Sequence, residues 1–101
     1  MKPFFVGDQA QQEAEDASQY YKRQRPELGD EFVDELLGCY ASVEKTSTSF
    51  GRFRDSLIQK CRLKRFPYTV YFLETEDWIW VATVAHDKQR EGYWLDRSPE
   101  G

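Results

Sequence analysis

Apolar side chains recur along this chain with two different periods, and the change of period divides it. Ala10, Ala14, Ala17 and Tyr21 fall at three- and four-residue intervals, which sets them on one face of a helix. Their small size lets that helix lie close to whatever it packs on. Leu28, Phe32, Leu36, Tyr40 and Val43 repeat the pattern and predict a second helix, with Asp30, Glu31, Asp34 and Glu35 turned elsewhere. Pro26 separates the two, because proline forces the residue before it out of helical geometry. The tight connection predicts an antiparallel helical hairpin. Asp8 and Gln11 have the spacing of an N-cap and its capping-box partner. Ahead of them, Pro3 to Val6 reads as a short strand ended by Gly7.

After a polar stretch from Thr46 to Gly51, read as a loop, the period becomes two. From Ile58 to Phe66, Lys60, Arg62 and Lys64 alternate with Cys61, Leu63 and Arg65, so a strand there carries three cations on one face. Pro67 interrupts it. Tyr68 to Leu73 is aromatic and β-branched, and Trp78 to Ala85 follows across the turn Glu74-Thr75-Glu76-Asp77, which predicts a hairpin. Strict alternation puts Trp78, Trp80, Ala82, Val84 and His86 on one side and Ile79, Val81, Thr83 and Ala85 on the other. Both sets are largely apolar, as expected of a central strand. Tyr93-Trp94-Leu95 is read as a short edge strand. The expected architecture is one α+β domain over residues 1–101. It has an N-terminal strand, the helical hairpin, and a three- to four-stranded antiparallel sheet with both helices on one face. The other face is expected to be concave and partly open.

With 101 residues, of which Phe 7, Tyr 6 and Trp 3 are aromatic, the chain has enough large rings to build a single core. Net charge is −4, but the average hides a pattern. Residues 1–51 balance at −5, residues 52–65 at +5 and residues 66–101 at −4. One compact basic segment therefore lies in an acidic protein, where long-range steering toward nucleic acid is weak. No apolar run approaches the ~20 residues a membrane helix needs. The start turns polar by Asp8, too soon for a signal peptide, so a cytoplasmic protein is expected. Cys39 and Cys61 have no metal-ligand spacing and read as two buried thiols rather than a disulfide. No metal or cofactor is expected.

Two stretches carry a resemblance. The first comprises Arg54, Lys60, Arg62, Leu63, Lys64, Arg65, Phe66, Pro67, Tyr68, Val70 and Tyr71. The second comprises Val81, Ala82, Val84, Ala85, His86, Arg90, Tyr93, Trp94 and Arg97. With the layout of the helical half, including Leu28-Gly29 and Phe32, they make nearly the whole chain resemble the RelE/ParE superfamily of bacterial toxins. The resemblance implies a growth-inhibiting toxin of a type II toxin–antitoxin module, of the plasmid-stabilisation kind. Its implied partner is a cognate antitoxin that folds on binding, within a higher-order complex. The family splits by mechanism. The ParE-like branch poisons DNA gyrase by protein–protein contact, and the RelE-like branch cuts messenger RNA on the ribosome.

The candidate residues divide along the same line. A ribonuclease needs a base near the 2′-hydroxyl and cations on the phosphate, and Arg62, Arg65, His86 and Tyr93 are the candidates for those roles. Aligned on Tyr93, however, the family's arginine position falls near Asp87, where a carboxylate repels phosphate. The acidic balance is also unlike that of a ribosome binder. His86, the only histidine, has as its simpler reading a structural role. Arg52, Arg54, Lys60, Arg62, Lys64 and Arg65 form a candidate basic patch for the target or for an acidic antitoxin tail. Tyr20, Tyr21, Phe32, Leu36, Tyr93 and Trp94 are candidates for an antitoxin groove. The favoured expectation is a ParE-like, non-enzymatic toxin. The alternatives are an mRNA endonuclease and a degenerate member that only binds antitoxin.

Overall fold

In a computed structural model, which describes residues 2–46, 50–53 and 57–99, two helices lie on one face of a five-stranded sheet. The chain runs β1 (Phe4–Val6), α1 (Asp8–Gln24), α2 (Pro26–Thr46), β2 (Gly51–Arg52), β3 (Ile58–Arg62), β4 (Tyr68–Glu74) and β5 (Ile79–His86). The strand order is β1-β5-β4-β3-β2. β5 lies between β1 and β4 and is buried along its length except at His86. The sheet is mixed rather than wholly antiparallel. β1 pairs with β5 in parallel, Phe4 opposite Ile79 and Val6 opposite Val81, because the helical hairpin returns the chain before the other strands form.

Local chemistry explains both ends of α1 and the start of α2, and at α1 it differs from the expected cap. Gly7, not Asp8, is the N-cap of α1, and no side chain caps it. The Gly7 carbonyl accepts the Gln11 N–H at 2.8 Å, and the Gln11 side chain turns to Glu15 instead. A Cβ at Gly7 would lie 2.9 Å from Trp80 Nε1 and 3.0 Å from the Val81 carbonyl oxygen, so contact with β5 selects glycine there. Arg25 alone joins the helices, in extended conformation, as the residue before proline requires. Pro26 opens α2, where its missing N–H costs nothing. Gly29 lets the helices touch, since a Cβ there would meet Ser18 O at 3.0 Å.

The helix-side core contains the alanines of α1, Phe32, Leu36, Cys39 and Val43 of α2, and Val70, Phe72, Ile79, Val81 and Val84 of the sheet. Strict alternation along β5 fails at one point. Tyr71 pairs with Thr83 but Phe72 with Val81, so Ala82 is an extra residue in a bulge. Ala82 and Thr83 thus both face away from the helices, and Val84 joins Ile79 and Val81 instead of Trp80.

Other expectations also shift. β3 ends at Arg62, four residues early, so Lys64 lies beyond the strand. Gly51, expected in a loop, belongs to the short strand β2, while residues 47–49 lie outside the described residues. Tyr93-Trp94-Leu95 forms turns rather than a strand. That segment folds over the open face, where Trp94 joins Phe53, Trp80 and Ala82 in a second buried cluster.

Candidate functional site

The basic segment does not form one patch. Register sets Lys60 and Arg62 opposite Tyr71 and Thr69 on the open face, whereas Arg52 is opposite Gln59, on the face toward the helices. Arg62 pairs with Asp87 and also donates to the Leu63 carbonyl at 3.1 Å. Beyond the strand, the backbone N–H groups of Lys64 and Arg65 donate to the Glu35 carboxylate of α2. The Arg65 guanidinium bonds Glu31 at 2.7 Å, and Glu31 holds its pKa above the ordinary value. Arg54 lies outside the described residues. The structure therefore divides these cations between the open face and the acidic side of α2. Both arginine pairs are solvent-exposed and individually weak.

His86 is placed by its own turn. Its Nδ1 accepts the Lys88 N–H at 3.0 Å, and its backbone N–H donates to Gln89 Oε1 at 2.9 Å. The ring meets Tyr68 edge-on at 5.0 Å. Burial, then Tyr21 nearby, pushes the Tyr68 phenol up to about 12.

The most connected polar group is one that sequence reasoning passed over. β1 covers β5 only as far as Val81, and among the described residues no strand pairs the same edge beyond it. Glu13 of α1 and Arg97 of the C-terminal segment close it. Glu13 Oε1 accepts from Thr83 Oγ1 at 2.7 Å and from the Val84 N–H at 3.1 Å. Arg97 binds both Glu13 oxygens, at 3.0 and 3.1 Å, and donates to the Ala82 carbonyl at 3.0 Å. The Tyr93 hydroxyl donates to Glu13 Oε2, and its ring lies 5.2 Å from the Arg97 guanidinium. Burial alone would raise the Glu13 pKa, but its bonds to Arg97, Tyr93, Thr83 and Val84 hold it below the usual carboxylate value. Burial and the Glu13 carboxylate push Tyr93 up, so its proton stays on. A signal for Glu13 existed. It falls between Ala10 and Ala17 on the inward stripe of α1, at helical spacing.

Around this hub the open face carries two hollows. A pocket of about 180 Å³ is lined by Thr69, Tyr71, His86, Arg90, Tyr93 and Trp94 among others. It brings His86 and Tyr93 together; Arg65, held against α2, is not part of it. A broad groove of about 1180 Å³ runs past Phe5, Leu73, Trp78, Trp80, Ala82 and Arg97. The expected antitoxin-groove residues do not form a surface. Phe32 (0% exposed), Leu36 (5%) and Trp94 (2%) are core, because their rings and branches fill the two sides of the sheet. Tyr21 packs on Phe32 and Phe66, and of that set Tyr20 is the exposed ring.

No family model matches the chain, and no curated protein does. Among solved structures, a chain of "Chromosomal ParDE TA system from P. aeruginosa" superposes with a TM-score of 0.75 at 15% identity. The match covers 85% of this chain and 96% of that one. The fold is RelE/ParE-like. Within this fold the two helices and β5 form the scaffold, and Tyr93 and Trp94 of the C-terminal segment pack across the open face. No helix among the described residues is long and apolar enough to cross a membrane.

Proposed function

We propose that this chain is the toxin half of a type II toxin–antitoxin pair, and that it acts in the cytoplasm by binding DNA gyrase rather than by cutting RNA. The fold shared with a chain of a ParDE system supports the pairing. The choice of a binding mechanism is carried by the carboxylates that stand beside the groups RNA cleavage would use. Arg62 is matched by Asp87, Arg65 by Glu31, and the Tyr93 hydroxyl donates to the Glu13 carboxylate. A phosphate clamp must attract an anion, and a carboxylate beside each cation opposes that approach.

The cognate antitoxin is an initially disordered segment that orders on binding. Its apolar side chains lie in the groove beside Phe5, which is 53% exposed, and the half-buried Trp78. The test uses the purified chain on two substrates. Gyrase supercoiling of relaxed plasmid falls, while mRNA on translating ribosomes, read by primer extension, stays intact. Ribosome-dependent cleavage overturns the proposal. One observation favours that second reading: His86, Arg90 and Tyr93 share a pocket. If cleavage occurs, Tyr93→Phe and His86→Ala abolish it without loss of fold. If neither target responds but antitoxin is captured, the chain is a degenerate member.

A further inference from the structure

Gly7 is the N-cap of α1, a helix of 17 residues, and no side chain caps it. The backbone ladder of the helix begins with the Gln11 N–H on the Gly7 carbonyl, so the N–H groups of Asp8, Gln9 and Ala10 precede it. The usual serine or aspartate does not fit at the cap. A Cβ at Gly7 would meet Trp80 Nε1 at 2.9 Å and the Val81 carbonyl oxygen at 3.0 Å. The same close approach marks a further donor. Trp80 is 6% exposed, and its indole N–H has no hydrogen-bond partner among the described residues. A buried indole N–H ordinarily has one. Gly7, Asp8, Gln9 and Trp80 all line the groove of about 1180 Å³, so the helix end and the indole belong to one wall.

We propose that this wall takes the carboxylate of an aspartate or glutamate in a partner protein segment, which caps α1 in trans and accepts from the Trp80 indole. With the groove read as the antitoxin's, on which this proposal rests, that residue belongs to the antitoxin. A helix N-terminus carries partial positive charge and free donors, and both favour an anion. The indole N–H adds a directional donor beside them. Phe5, Leu73 and Trp78 make the neighbouring wall apolar, so the acidic residue is flanked by apolar ones. The groove exceeds the ~300–1,000 Å³ of a small-molecule site and suits several residues of chain. Asp8 and Asp96 also line it, but both are exposed, so water and salt screen them. The Arg97 guanidinium is engaged with Glu13 and Ala82, which leaves the helix end and the indole as the donors on offer.

The test titrates the isotope-labelled full chain, followed by amide NMR, with a blocked hexapeptide that carries one glutamate among leucine and serine residues. Its glutamine counterpart is the control. The Trp80 indole N–H and the Asp8 and Gln9 amides shift together and saturably, and the glutamine peptide binds about three- to tenfold more weakly. Asp8→Asn removes a like charge and strengthens the glutamate peptide about two- to threefold. Asp8→Pro removes the same charge and one donor. Gly7, with ψ 149°, already has the conformation that precedes proline, so the helix start is kept. Asp8→Pro binds about two- to tenfold more weakly than Asp8→Asn. Equal affinity for the two peptides, an indole resonance that stays in place, or equal binding by the two Asp8 variants overturns the proposal. So does phenylbutyrate, a free apolar acid, if it binds as tightly as the glutamate peptide, since the site then belongs to a small acid. The amide spectrum reports the fold of each variant, and the native-chain titrations decide alone where it is lost. No antitoxin or gyrase enters these titrations. A chain neutralised by its antitoxin whose Trp80 indole ignores the glutamate peptide keeps the toxin reading and loses this one. A saturable glutamate site in a chain without effect on gyrase keeps the site and loses the toxin reading.

Discussion

Replacing Glu13 tests whether the C-terminal segment is part of the folded unit. Glu13→Ala removes the acceptor shared by Thr83, Val84, Tyr93 and Arg97. The Glu13 and Arg97 side chains are 20% and 14% exposed, so the pair is close to buried. Removing one partner of a buried pair costs about 3–5 kcal/mol. Part of that is recovered when the Arg97 guanidinium swings into water, at the expense of contacts that its segment makes around Trp94. The net expectation is a loss of about 2–4 kcal/mol. Glu13→Gln keeps an acceptor oxygen and loses the charge, and costs about 1–2 kcal/mol. Urea unfolding followed by tryptophan fluorescence gives both values, and Trp94 and Trp80 report on this face. A double-mutant cycle with Arg97→Met isolates the pair, with a coupling of about 1–3 kcal/mol. If Glu13→Ala stays within about 0.5 kcal/mol of the parent, or the two changes are additive, the lock does not exist. Acid supplies an independent arm. The Glu13 carboxyl is held below its ordinary 4.5, so its contribution is fully present above that pH and is lost as pH falls through the lower folded value. Glu13→Gln lacks that part of the acid slope.

Three further sets of substitutions probe the packing and the surface pairs. Trp94→Ala, at a ring that is 2% exposed and stacked on Tyr71 at 4.5 Å, costs about 3–5 kcal/mol in urea and exposes residues 91–97 to limited proteolysis. Gly29→Ala forces α1 and α2 apart and costs about 1–3 kcal/mol, whereas Gly38→Ala, with nothing within 4 Å, stabilises α2 by about 0.5–1 kcal/mol in thermal unfolding. Arg62→Ala changes stability by less than about 1 kcal/mol and Arg65→Ala leaves the urea midpoint unchanged, since their ion pairs are exposed, and loss of the native far-UV spectrum in either refutes that reading.

The sequence carried the elements well where periodicity was long. The stripes from Ala10 to Tyr21 and from Leu28 to Val43 are the buried faces of α1 and α2, and the β4–β5 hairpin lies where alternation put it. Three features left no such trace. The parallel pairing of β1 depends on where the helices return the chain. The bulge at Ala82 changes which residues share a face without changing composition, so Val84 was assigned to the wrong side. Trp94 looked peripheral because its partners, Phe53 and Tyr71, are remote in sequence. The candidate site suffered most from the same cause. A run of cations shows charge but not the carboxylates that answer it, and Glu31, Glu35 and Asp87 come from other elements.

On the proposed toxin–antitoxin role, these placements constrain how an antitoxin segment engages the open face. Trp94 lines the polar pocket with His86 and Arg90, and Arg97 lines the apolar groove with Phe5 and Trp78, so the C-terminal segment separates the two hollows. On the pocket's side stand Lys60 and Arg62; on the groove's side Trp78, Trp80 and Phe5 form part of the wall. An RNA strand would gain little from the apolar half, and the net charge of −4 offers it weak attraction. A protein segment with an apolar stripe and acidic flanks suits both halves, but it must pass Trp94 to reach both. Since the Glu13–Arg97 lock holds Trp94 in place, loosening the lock alters engagement of such a segment more than it alters contact with either hollow alone.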